Sequence, residues 1–358
     1  MAILFYYTDL ISFLCGLMLS FLLCVVFIFV VLRNIPLGID NLTGPQKIHK
    51  GNVPRIGGMS VFLSILIINF FLDSNVSSLL FSLMVASLPV ILAGLLEDFT
   101  GQISPKSRFL MSVLAGFCFV WSTDYRITDV ELEAFKFILT IPFISIFLTA
   151  LAIASLSNAI NMIDGLNGLA GGAVVIMLSA FCFLAIDNDD VTIVTVALAI
   201  IFPLIGFLFL NFPHGKIFLG DGGAYFLGFM VAGIAVILPE RNSDISPFAS
   251  LLIISFPFYE LVRSMIRRIA SNGTKAFEPD DKHLHSLFHA VISQKSSTSN
   301  FNTNPVSSIL VLTFPMAAAI WTVLFFNDRS LLAIGFFVLI FIYETIAALL
   351  VRSLLKGS

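Results

Sequence analysis

The stretch Ser155–Gly172, SLSNAINMIDGLNGLAGG, places Asn158, Asn161, Asp164 and Asn167 between two apolar runs, 137–156 and 168–186. Each run is near the length of about 20 residues at which an apolar helix crosses a bilayer. A plain connector between two such helices has no need of three Asn and one Asp in so short a space. The stretch is therefore read as a membrane-surface loop that holds something polar.

The rest of the chain repeats this alternation. It is 58% hydrophobic and 11% charged, with 38 Phe, and its mean hydropathy is +1.01. A soluble domain carries roughly 25% charged residues. Lipid offers no hydrogen-bond partners to open strands, so an all-α, polytopic fold is expected, as a single integral-membrane catalytic domain over 1–358. The net charge of −3 selects no partner, and no nucleic acid is expected. Cys15, Cys24, Cys118 and Cys182 lie in apolar runs without zinc or disulfide spacing. The opening MAILFYYTDL has no basic residue, contains Asp9 and leads into a run too long for a signal peptide, so no cleavable leader is expected.

Eleven spans are read, at 10–32, 56–72, 78–96, 108–122, 137–156, 168–186, 191–210, 222–238, 248–262, 308–326 and 331–351. The 19 Lys and Arg divide 15 to 4 between the two sides. The positive-inside rule makes the basic side cytoplasmic, which puts the N-terminus in the periplasm and the C-terminus inside. The cytoplasmic loops are then 33–55, 97–107, 157–167, 211–221 and the long 263–307. The last begins as a helix continuing the ninth span, ELVRSMIRRIASNG, which Pro257 is expected to kink. It ends in SQKSSTSNFNTNPVSS, which reads as a flexible linker. The outer segment TDYRITDVELEAFK reads as a short surface helix.

All five inner loops carry polar residues a connector does not need. Glu97, Asp98, Asp164 and Asp221 stand where apolar spans meet the cytoplasm. One such acid reads equally well as a solvated helix end. Four on one side favour function, since ionisable groups beside lipid are costly. Carboxylates without soft ligands suit a hard cation, Mg²⁺ or Mn²⁺, completed by substrate phosphates. In FLGDGG the glycines around Asp221 allow backbone to approach an anion at a helix start; close helix packing is the alternative. Three of the five histidines, His283, His285 and His289, lie in HLHSLFH behind Asp280, Asp281 and Lys282. With no Cys nearby, a phosphate site is favoured over zinc.

Together, KIHKGNVPRIGG, LLEDF, NMIDGLNG, FLGDGG and PDDKHLHSLFH make the chain resemble the polyprenyl-phosphate N-acetylhexosamine-1-phosphate transferases, the superfamily of MraY and WecA, and its WecA-like branch most. The resemblance runs through nearly the whole chain, with the motifs in family order. It implies transfer of a sugar 1-phosphate, GlcNAc-1-phosphate or a related N-acetylhexosamine, from a UDP-amino sugar to undecaprenyl phosphate. UMP is released, and Mg²⁺ is required, with Mn²⁺ as an alternative. The implied setting is the bacterial inner membrane at the start of O-antigen or another surface glycan, with membrane lipid around the chain and a homodimer allowed.

Carried over by motif, Asp221 resembles the magnesium ligand, and Asp98 the second acid of a pair that acts on the lipid phosphate and serves the metal. Asn161 and Asp164 match polar residues near the nucleotide. Gly165, Leu166, Asn167, Asn211 and Phe218 match positions lining uridine. Lys47, His283 and His285 match basic groups near the diphosphate, and Arg267 is a further candidate there. The chain departs from the family where Glu97 replaces an Asp, Asn167 replaces an Asp, Ala224 follows Gly223, and Ser286 replaces a third His. Two rival classes are a lipid-linked-substrate transporter or flippase and a CDP-alcohol phosphotransferase. Transporter sites sit near the bilayer midplane, unlike these loops, and the acid motif of the CDP-alcohol enzymes is not visible here.

Overall fold

A computed structural model describes residues 2–33, 53–270, 282–295 and 302–356. Its elements are helices. The first half holds α1 (Ala2–Leu32), α2 (Gly57–Ile68), α3 (Ser74–Ala86), α4 (Leu88–Thr100), α5 (Pro105–Thr123), α6 (Glu133–Leu139) and α7 (Pro142–Ile163). Then come α8 (Leu169–Asp187), α9 (Val191–Asn211), α10 (Gly220–Arg241), α11 (Pro247–Ile253) and α12 (Ser255–Ala270). The last are α13 (Leu284–Lys295), α14 (Thr303–Phe325) and α15 (Arg329–Lys356).

Seven of these are long and apolar enough to cross a membrane: α1, α7, α8, α9, α10, α14 and α15. The pairs α3–α4 and α11–α12 pass only together, bent by 47° and 73°. Of the eleven spans read from the sequence, seven to nine are thus long and apolar enough to cross a membrane among the described residues. The other two predicted stretches are also helical, as the short α2 with its 3-10 turn Asn69–Phe71, and as α5, which opens with Lys106 and Arg108. Proline accounts for both bends. Pro89 has no N–H for the carbonyl of Val85, and Pro257 none for Ile253, so each helix breaks about one turn before the ring. The kink expected at Pro257 accordingly falls at Ile254.

Two further expectations meet the structure. The acidic outer segment contains a short helix, α6. The supposed linker at 293–308 is helical at both ends, where α13 runs through Lys295 and Asn302 caps α14 by accepting from Asn304 N; its middle, 296–301, lies outside the described residues. Asn is a strong N-cap because its side-chain oxygen satisfies a first-turn amide. That preference outweighs the polar composition.

The bundle is organised around α10. Every residue from Gly220 to Leu238 is buried, as expected for a helix apolar on all sides. α2, α4, α7 and α8 surround it. Its first turn packs against α2 and α4 through glycines: a Cβ on Gly58 would overlap the backbone of Gly223, and one on Gly94 that of Gly222. Small residues let helices in a membrane come close enough for backbone contact. Main-chain bonds add to this, with Phe218 N donating to Pro54 O (2.8 Å), and Gly57 N and Gly58 N donating to the carbonyls of Phe218 (2.9 Å) and Leu219 (2.8 Å). At the opposite end, Arg241 donates to both oxygens of Asp190 (2.7 and 2.9 Å), tying the end of α10 to the start of α9.

Gly58→Ala is expected to force α2 and α10 apart, with an overpacking cost of about 1–3 kcal/mol. Thermal unfolding of the detergent-solubilised protein checks this, and an unchanged melt would contradict the contact.

Candidate active site

The N-terminus of α10 needs outside partners, because the first amides of a helix have none within it. Asp98, near the end of α4, supplies them. Its Oδ1 accepts from Asp221 N (2.8 Å) and its Oδ2 from Gly222 N (3.0 Å). The negative charge also suits the positive end of the helix dipole. The chain reaches this geometry through Gly220, whose φ of +77° is left-handed and whose missing Cβ leaves room for the Arg55 carbonyl.

The Asp221 carboxylate, so placed, lies between two guanidinium groups. Arg55 Nη2 donates to Oδ1 at 3.0 Å, and Arg108 Nη1 donates to Oδ2. Arg55 Nε is also 3.5 Å from Asp98 Oδ1. Arg108 comes from the first turn of α5, with its guanidinium 6.0 Å above the Tyr225 ring. Charge-assisted bonds of this kind are about twice as strong as neutral ones. Glu97, beside Asp98, turns to the loop and accepts from Ile103 N at 2.7 Å.

The opening stretch meets this centre through Asp164, which caps the end of α7 and lies within electrostatic reach of Asp98 and Arg55. The Asn161 carbonyl accepts from Asp164 N at 3.3 Å. Gly165 lies directly under the His285 ring, whose Nε2 occupies the space a Cβ would need. Leu166 is buried. Asn167 donates through its side chain to Pro213 O (3.0 Å) and through its backbone to Asn304 Oδ1 (2.9 Å). Asn211 accepts from Gly168 N (2.6 Å) and donates to Ile217 O (2.8 Å). These two asparagines therefore join the third inner loop to the fourth and to α14. Phe218 takes part through the main-chain bonds given above.

His283 Nδ1 lies 2.8 Å from Glu260 Oε2, and Leu284 N donates to Glu260 Oε1 at 2.9 Å. The His283 and His285 rings stack with centroids 5.6 Å apart and planes 2° apart. Burial, then the neighbouring charge of His283, pushes His285 down to about 4, so it is neutral at neutral pH. Arg267 lies one turn beyond Arg263 on α12, within electrostatic reach of Tyr343. Lys47, Asp280 and Asp281 fall outside the described residues.

The sequence reading brought Asp98, Asp164, Asp221, His283 and His285 to one side, and the structure gathers them at one end of the bundle. It missed three residues. Arg55 and Arg108 counted there only among the basic residues, although Arg55 stands two residues before α2 and Arg108 in the first turn of α5, each next to an acid-bearing loop. Glu260 was overlooked, although a lone acid in the apolar SFPFYELV is costly and so invites a function.

For a divalent cation the donors here are hard oxygens. No three Asp, Glu, His or Cys groups converge as a ready metal cage among the described residues. Mg²⁺ needs only one or two protein carboxylates when phosphates and water complete its shell. Asp221, partly accessible and already drawing two cations, fits that role as a single ligand.

Fold and site together define a polytopic membrane protein with an acid–arginine–histidine centre at one end of its bundle. The family model "Glycosyl transferase family 4" matches residues 80–239. A probable undecaprenyl-phosphate N-acetylglucosaminyl 1-phosphate transferase of Bacillus subtilis is 30% identical over 267 residues, covering 74% of each chain. A decaprenyl-phosphate N-acetylglucosaminephosphotransferase of Mycobacterium leprae is 31% identical over 280 residues, 67% of each. A phospho-N-acetylmuramoyl-pentapeptide-transferase of Streptococcus pneumoniae is 29% identical over 258 residues, 67% of this chain and 75% of that one. The chain belongs to glycosyl transferase family 4, within its WecA-like branch.

Two measurements test the centre. Asp98→Asn turns an amide N–H₂ toward buried backbone donors, so it is expected to cost about 1–3 kcal/mol of stability; a melt equal to that of the parent would contradict the bracing role. Burial raises Asp164 to about 7 from 3.8, with Arg55 pulling the other way. Its contribution is complete below 3.8 and is lost as pH rises through about 7. Asp164→Asn does not titrate, so its melting temperature should gain on the parent between those values, and parallel curves would refute the shift.

Proposed function

We propose that this protein transfers N-acetylglucosamine 1-phosphate, or the phosphate of a related N-acetylhexosamine, from its UDP-sugar to undecaprenyl phosphate and releases UMP. The observation that carries the reading is the Asp221 carboxylate, braced by Asp98 and set between two arginines at one end of an apolar bundle. The Bacillus subtilis and Mycobacterium leprae relatives act, by their names, on undecaprenyl or decaprenyl phosphate with N-acetylglucosamine phosphate. We place the chain in the bacterial inner membrane, with eleven crossings, the N-terminus periplasmic and the centre at the cytoplasmic face. There it serves the first membrane step of O-antigen or another surface glycan.

In the reaction a lipid phosphate oxygen attacks the β-phosphorus of the UDP-sugar. The bond from that phosphorus to the bridging oxygen breaks, and UMP leaves with its electron pair. Both reactants are anions, so alignment and charge neutralisation carry most of the catalysis. Asp221 would hold Mg²⁺, which when bound supplies charge for the diphosphate and the leaving UMP. Asp98 keeps the start of α10 fixed and stands next to the lipid phosphate. Arg55 and Arg108, freed in part from Asp221 when the cation is present, offset phosphate charge together with His283 and Lys47. Asp164 and the turn through Asn167 and Asn211 shape the nucleotide side, near Arg267. The polyprenyl tail lies against the flank of α10. A largely apolar cavity of about 290 Å³ opens along the half of α10 away from Asp221, between α7 and the α11–α12 break, lined by Leu156, Ala232, Val236, Leu251, Ile254 and Phe258.

Purified protein, undecaprenyl phosphate, Mg²⁺ and a panel of UDP-amino sugars should yield UMP and a lipid-linked product. Chelation should abolish turnover, and Asp221→Ala should lower it by at least about 10²-fold, as loss of a key electrostatic group does. No UMP from any UDP-sugar would overturn the reading, and release of CMP from a CDP-alcohol would favour the rival phosphotransferase class.

A further inference from the structure

Glu260 is fully buried on α12, between Phe258 and Tyr259 on one side and Leu261 and Val262 on the other. An ionised acid in such a place is expensive unless each oxygen finds a donor. Both do: Oε1 takes the backbone N–H of Leu284 at the start of α13, and Oε2 takes Nδ1 of His283. The nearby Arg263 is directed elsewhere, to Glu344 (2.6 Å) and to the carbonyl of Lys282 (3.2 Å). A carboxylate is an acceptor only, so the ring nitrogen facing it must carry the proton. That leaves Nε2, on the far edge of the ring, as the atom for a ligand.

We propose that Glu260 is a positioning residue for the transfer reaction: it locks the ring of His283 with Nδ1 protonated, so that the bare Nε2 faces the substrate as an acceptor for the P–OH of a monoprotonated lipid phosphate. The inference rests on the reading of His283 as a substrate-facing group. The lock is oriented on its second side as well. The His283 ring lies flat against His285, and His285 in turn abuts Gly165, next to Asp164. One buried acid on α12 thereby sets the angle of a two-ring stack that ends at the acid centre.

A role confined to capping α13 is separable. In Glu260→Gln the side-chain oxygen can still accept from Leu284 N, while the amide N–H₂ faces Nδ1 of His283 and forces the opposite tautomer. The experiment is ¹⁵N NMR of histidine-labelled, full-length protein in detergent, with His283 assigned by substitution, alongside UMP release. In the unsubstituted protein, His283 should carry its proton on Nδ1. In E260Q the neutral ring should carry it on Nε2, and transfer should fall by about 10- to 100-fold, as loss of an orienting partner does, with a melt close to that of the parent. A bare Nδ1 in the unsubstituted protein overturns the proposal without need of any variant. So does E260Q with unchanged tautomer and unchanged rate. If the parent protein turned over no UDP-sugar, the function proposed above would fail, and the tautomer measurement would still decide this point.

Discussion

The first turn of α10 is the constraint on which the structure depends. A buried helix N-terminus exposes amides that nothing within the helix can satisfy. Here the partner is a carboxylate carried in from α4, 123 residues earlier in the chain. The acid costs desolvation energy, and two amides, a guanidinium and the helix dipole offset it. The same bonds fix the backbone of Asp221, so the acid that faces the arginines cannot move without unseating the helix. Structure and chemistry share one set of atoms at this point.

Such an arrangement needs unusually close backbones. Gly58 and Gly94 admit the α10 turn, and Gly220 takes the backbone conformation that starts it. Bulk on any of these three would separate acid from amide. The GDGG motif, read alone, allowed either helix packing or anion binding. The structure uses it for both: Gly222 and Gly223 pack, while the amides of Asp221 and Gly222 meet an anionic group. That group is the protein's own Asp98.

Around this core the inner loops are linked by side chains whose polar atoms bond to backbone. Asn167 and Asn211 join the third loop to the fourth and to α14. Glu260 anchors the histidine segment to α12. The result is a rigid polar face on an apolar bundle, with its charges held in place before any ligand arrives. Preorganised charge of this kind is what a reaction between two anions requires.

Sequence alone determined the membrane class, the helical character of the predicted spans and the family. Apolar run length and the absence of partners in lipid leave no other backbone solution, and motifs in fixed order are a one-dimensional property. It also marked Asp98, Asp164, Asp221, His283 and His285, because charge at the edge of an apolar run stands out in a linear string. Only the tertiary structure decided that Pro89 and Pro257 break two of the spans and that Asn302 begins a helix inside a polar tract. It alone decided that Arg55, Arg108 and Glu260 belong to the centre. A guanidinium or carboxylate reaches its partner through space, and the partners here are 166, 113 and 23 residues away, beyond the range of any local pattern.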